Sequence, residues 1–170
     1  MFRLLPIISL LALSIAACTP VSQSSGVGPD GLPLPKIYRI NRMQSGQIQV
    51  RMLDAVNSLR VAAGVPAVEL DSTLNAIANA HSRDMSQMNR PWNWGSDLLD
   101  PWTRARRAGY QGDIYEAISE SYETELETLA GWMEDSRTRP IVLEPSARYM
   151  GFGWHQDSSG KIWWTLEMGS

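Results

Sequence analysis

Two histidines, one cysteine and a scatter of carboxylates are the side chains of this chain with the capacity for chemistry. His81 shares a helical stripe with Leu74, Ala78, Met85 and Met88, at steps of four, three, four and three. An imidazole on such a stripe is either a ligand or base, or a buried and hydrogen-bonded core residue. The apolar company favours the second. His155 follows Trp154 on a segment of strand character and should point opposite it, toward the surface or a cleft rim. Ser119, Ser121 and Ser136 have no histidine beside them in sequence. The chain lacks a Gly-x-Ser-x-Gly elbow, a His-Glu-x-x-His pair, a phosphate loop and a dinucleotide fingerprint. Glu120, Glu123, Glu125 and Glu127 crowd the start of a predicted helix, where carboxylates complement its positive end. They read as that complement rather than as a catalytic cluster.

The elements that must position these groups follow from periodicity and caps. Ile48, Met52, Val56 and Leu59 predict a helix from about Gly46 to Ala63, stopped by Gly64 and Pro66. Asp71 caps a second helix, with Leu70 placed to staple its first turn. Asn89 to Tyr110 is the organising stretch: an aromatic turn with Trp92 and Trp94, then a short helix from Asp100 to Ala108. Asp100 is its N-cap, Pro101 its first residue, and Gly109 lies just past its end. Arg104, Arg106 and Arg107 on it read as a solvated face, their stems over tryptophan. Gln111 to Ser119 reads as a turn and a brief extended segment. Thr124 and Glu127 have capping-box spacing for a helix carrying Leu126, Leu129, Ala130 and Met133 inward. Ile141-Val142-Leu143 is an apolar run of strand chemistry. Arg148–Gln156 and Lys161–Met168 form a β-hairpin across Asp157-Ser158-Ser159-Gly160, in which Gly151 and Gly153 mark a close approach by another backbone or side chain. Trp163-Trp164 and the Trp92/Trp94 turn are candidates to line a groove for an apolar or sugar ligand. Helices outside and strands between make an α+β chain, a three-layer α-β-α sandwich.

The run from Asn57 to Met85, followed by the aromatic turn with Gly95-Ser96-Asp97 and by Pro101-Trp102-x-Arg-Ala-Arg-Arg-Ala-Gly-Tyr110, resembles the bacterial branch of the CAP superfamily (cysteine-rich secretory, antigen 5 and pathogenesis-related 1 proteins). The resemblance covers about Gln47 to Met168 and implies the same sandwich. It also implies a cleft of two histidines and two acids, which in some members holds a divalent metal. Matched residue by residue, the first histidine falls on Asn93 and the first acid on Glu116, within Tyr115-Glu116-Ala117-Ile118. The second acid falls on Asp135, three residues after Trp132, and the second histidine on Thr138. Both imidazoles are thus replaced, and a set of amide, hydroxyl and carboxylates suits zinc or copper poorly. No metal and no other cofactor is expected.

Residues 1–17 read as a signal peptide: Arg3, an apolar core from Leu4 to Ile15, then small residues. Ile15-Ala16-Ala17-Cys18 resembles a bacterial lipobox, which implies cleavage before Cys18 and its acylation, with palmitate-like chains as membrane anchor. Cys18 is the sole cysteine, so it has no disulfide partner within the chain, and lipidation accounts for it. Thr19 rather than aspartate after it implies the outer membrane of a two-membrane cell, facing the periplasm. Residues 18–35, rich in Ser, Gly and Pro, read as a tether, and residues 36–170 as the CAP-like domain.

The net charge of −3 gives no electrostatic reason to bind nucleic acid. The expected protein is a lipid-anchored cell-envelope lipoprotein whose CAP domain binds or braces rather than catalyses, with an envelope protein or a small ligand as partner. A hydrolase of peptide or cell-envelope material and a carrier of hydrophobic ligands are the competing expectations.

Overall fold

The computed structural model describes residues 37–170; the predicted signal peptide, Cys18 and the tether lie outside the described residues. The elements in chain order are α1 (Arg42–Ala62), β1 (Glu69–Leu70), α2 (Ser72–Met88), α3 (Pro101–Arg107), β2 (Ile114–Ser121), α4 (Glu125–Glu134), α5 (Arg139–Val142), β3 (Tyr149–Gln156) and β4 (Ile162–Gly169). The strands form one sheet in the order β1-β3-β4-β2, antiparallel except for the short β1–β3 pairing.

The predicted caps operate as the sequence requires. Asp71 accepts from Leu74 N at 2.8 Å and Asp100 from Thr103 N at 2.7 Å. Thr124 and Glu127 make a full capping box. Helix α1 begins a turn earlier than its apolar pattern suggests, because Asn41 and Gln44 make a second capping box ahead of the first buried residue. Its inward stripe is Ile48, Met52, Val56 and then Arg60, all fully buried, with Leu59 only partly so.

Register sorts the sheet into two unlike faces, since side chains alternate and paired residues share a face. One face carries Ala117, Met150, Phe152, Trp164, Leu166 and Met168, which pack under α1 and α4 in the main core. Trp163 and Trp164 are both fully buried, so neither lines a groove. The other face lies against α2 and is polar at its centre, with Glu116, Glu167 and Thr165. Helix α2 comes very near it because β3 presents glycines there: a Cβ on Gly151 would sit 2.1 Å from the Leu74 carbonyl carbon, and one on Gly153 2.3 Å from Asn79 N.

Two elements depart from the sequence reading. On α4 the inward residues are Glu125, Thr128, Leu129 and Trp132, while Leu126 and Ala130 face solvent. Trp132 claims the interior, packing edge-on to Phe152 at 6.4 Å and rotating the helix away from its small aliphatic side. Ile141-Val142-Leu143 is not a strand. Pro140 stands in the first turn of α5, where its missing N–H costs no hydrogen bond, and the run becomes a single helical turn.

Candidate functional site

Glu116 sits near the middle of β2, the outer strand of the sheet, and its side chain is fully buried. Asn93 Nδ2 donates to Glu116 Oε1 at 2.9 Å, and Arg104 Nη2 makes an ion pair with Oε2. The same guanidinium donates to the carbonyls of Asn93 at 2.6 Å and Leu99 at 3.0 Å. Arg104 therefore ties the aromatic turn, α3 and β2 together. It is not part of a solvated face; Arg106 and Arg107 are.

Behind this group stands a second carboxyl, directly opposite Glu116 in the β2–β4 register. Glu167 is fully buried, and neither oxygen meets a partner within hydrogen-bonding geometry. Burial, then the charge of Glu116 beside it, hold the Glu167 carboxyl far above the usual carboxylate range, against a weaker opposing pull from Arg104. A glutamate between Leu166 and Met168, in a strand whose other polar side chain is Thr165, is the sequence signal for this second carboxyl, and family motifs do not mark that position.

His81 completes the cluster from α2. It is buried as its stripe implies, but it is not hydrogen-bonded through either ring nitrogen. Nε2 lies 3.7 Å from Glu116 Oε1. Burial dominates and lowers its pKa, with Glu116 pulling the other way, so the ring is neutral at pH 7. His155 is half-buried on β3, across from Trp163, and has no place in this cluster.

In front of Glu116 a cleft of about 640 Å3 opens between β2 and α4. All four family-matched positions, Asn93, Glu116, Asp135 and Thr138, lie on its walls. Asp135 is held by Arg137, which donates from Nη2 at 2.7 Å and from its backbone N at 2.8 Å, and its carboxyl is pulled down to about 2. The Thr138 hydroxyl donates to the Trp132 carbonyl at 2.7 Å. A smaller pocket of about 330 Å3 adjoins the cleft, sharing Asn93, Glu116 and Ile141 with it and adding Trp94, Trp102 and Tyr115. Trp94 stacks on Trp92 with centroids 6.3 Å apart, and the Arg90 guanidinium lies 4.1 Å over Trp92.

A divalent metal of the kind some family members hold does not fit these residues. Each carboxylate at the family-matched positions already faces a guanidinium, the amide of Asn93 is turned onto Glu116, and the Thr138 hydroxyl is spent on a carbonyl. No trio of His, Cys, Asp or Glu side chains with metal-binding geometry occurs among the described residues.

Comparison with known proteins agrees with this architecture. YkwD of Bacillus subtilis is 25% identical over 114 residues, covering 66% of this chain but only 44% of YkwD, so the chain spans under half of that relative. An outer surface protein of Borrelia burgdorferi superposes with a TM-score of 0.70 at 11% identity, over 79% of this chain and 98% of its own. An extracellular SCP-domain protein of Bacillus anthracis gives 0.68 at 19% identity, over 78% and 44%. At these identities the likeness is one of fold. The model of the cysteine-rich secretory protein (CAP) family matches residues 53–168, from the middle of α1 to the end of β4, and the chain belongs to that family.

Proposed function

We propose that this chain is a non-catalytic binding module, held to a cell-envelope membrane through acylated Cys18 and facing the periplasm, with the cleft between β2 and α4 as its ligand site. One observation carries the reading: the polar groups at the family-matched positions are satisfied by internal partners. Glu116 is clamped by Arg104 and Asn93, Asp135 by Arg137, and Thr138 by the Trp132 carbonyl. A hydrolase needs a base or nucleophile poised toward substrate. Here the group with the raised pKa, Glu167, is fully buried, and His81 is sealed beside Glu116.

Calorimetric titration with zinc tests the site, using the native protein beside an Asn93→His, Thr138→His double variant. The native protein is expected to be silent and the variant to bind. Tight binding by the native protein would overturn the reading. The anchor is tested by Cys18→Ser, which should shift the protein from the membrane fraction to the soluble one. An unchanged distribution would rule out the anchor.

A further inference from the structure

Leu98 is held where a leucine is out of place. Its φ is +62°, in the left-handed region that glycine and asparagine occupy readily and in which a leucine side chain crowds its own backbone. Among the described residues the other non-glycine residue with positive φ is Asn89, the cap of α2. Four hydrogen bonds fix the turn that imposes this conformation. Gly95 N donates to the Leu99 carbonyl and Leu98 N to the Gly95 carbonyl, each at 2.9 Å; Ser96 N donates to Asp84 at 2.7 Å and Leu99 N to Asp97 at 3.2 Å. Packing does not offset the strain, because the side chain is 66% exposed.

On either side of it along the chain, Trp94 and Trp102 are 45% and 54% exposed, while every other tryptophan of the described residues is buried or half-buried. Residues 94–102 stand beside Ile114 and Tyr115 at the start of β2. A rigid turn that puts a leucine and two indoles outward, against both conformation and hydration, is suited to an apolar medium. Indoles settle at the level of lipid headgroups, where the ring leaves water and the N–H stays wet. Charge is balanced around the turn. The exposed guanidinium groups of Arg90, Arg106 and Arg107 are matched by the carboxylates of Asp84, Asp97 and Asp100, so a neutral bilayer is enough.

The bilayer is also within reach. Residues 18–35 span at most about 60 Å when fully extended. Tyr38 N donates to the Tyr122 carbonyl just past the end of β2, and β2 itself puts residues 94–102 about 25 Å from there. A tether makes docking intramolecular, so shallow insertion of a few side chains is sufficient.

We infer that the turn at residues 94–102 docks the domain onto a lipid bilayer, with Leu98 entering the acyl boundary and the rings of Trp94 and Trp102 at headgroup level. The inference rests on Cys18 being the membrane anchor.

The test places the acylated full chain in phosphatidylcholine vesicles brominated on the acyl chain near the headgroup, and compares tryptophan emission with that in unbrominated vesicles. Emission should be quenched, and the quenching should vanish in the Trp94→Phe, Trp102→Phe variant. Leu98→Asn should weaken docking by about three- to tenfold, read as lost quenching. The same change should raise the thermal midpoint by about 2–4 °C, because asparagine accepts the left-handed conformation. A lowered midpoint would show that Leu98 serves the fold instead. That result, unquenched emission, or quenching equal in Leu98→Asn and native protein would each overturn the inference. Flotation of the same vesicles separates the two failures. Protein that floats with them unquenched leaves the anchor standing and removes the docking. Protein that does not float removes the anchor, and the inference with it.

Discussion

Glu167 and His81 are buried groups of opposite sign whose titration pulls stability in opposite directions. A carboxyl whose folded pKa is raised holds its proton in the native state while the unfolded chain loses it near 4.5. Its contribution to stability is therefore complete below that value and declines as pH climbs. Glu167→Gln removes the decline, so the denaturant midpoint of the variant should rise relative to the native protein as pH goes from acidic to mildly alkaline. A pH-independent difference would show that Glu167 is ionised in the fold. His81, with its pKa lowered by burial, behaves inversely. The unfolded chain takes up a proton near 6.5 that the native state refuses, and stability drops on the acid side of that value. His81→Leu should gain on the native protein as pH falls through that region, read by the same denaturant midpoints. Sequence placed His81 correctly, because an apolar stripe reports burial. It mispredicted the hydrogen bonds, because partners come from other elements. Asn93 and Glu116 were named by family pattern alone, and beside their direct contact stands Arg104, bound to both, which the charge run Arg104–Arg107 disguised as surface.

Among the elements, what was legible was whatever local chemistry decides. Caps at Asp71, Asp100 and Thr124, the Pro101 start and the hairpin turn depend on neighbours within a few residues. The orientation of α4 and the helical turn at α5 depend instead on Trp132 and on the packing of distant layers, so the local pattern misled there. Gly151 and Gly153 are the exception, a long-range contact written in small residues. Backbone atoms of α2 stand 2.1–2.7 Å from a Cβ built on either, and a helix backbone cannot move aside as a side chain tip can. Gly153→Ala should destabilise by about 2–3 kcal/mol in urea unfolding through overpacking alone. The control is Gly131→Ala, on α4, where a Cβ meets nothing within 4 Å; the change should be neutral or stabilise by up to about 1 kcal/mol.

At the scale of the whole domain, the parts are braced by an arginine. Arg60, at the end of the α1 stripe, is fully buried and donates to the carbonyls of Pro66 at 2.7 Å, Val142 at 2.9 Å, Glu144 at 3.0 Å and Ala147 at 3.3 Å. It thereby fastens the loop after α1 to the end of α5 and the segment that leads on to β3. Arg60→Met would leave the Pro66 and Val142 carbonyls without their donor, while Glu144 O keeps the Ala147 N–H and Ala147 O keeps Arg148, and should cost about 3–5 kcal/mol in urea unfolding. Arg60→Lys should recover little, because an ammonium cannot span the fork that the guanidinium fills.

Extracellular folds are commonly braced by disulfides, whose formation waits on an oxidising compartment and whose loss follows reduction. A guanidinium among carbonyls has no redox state. With Cys18 as the sole cysteine and none among residues 37–170, the domain reaches the same brace in a reducing or an oxidising medium, and its thermal midpoint should not respond to dithiothreitol. Its maturation is thereby independent of thiol oxidases and isomerases.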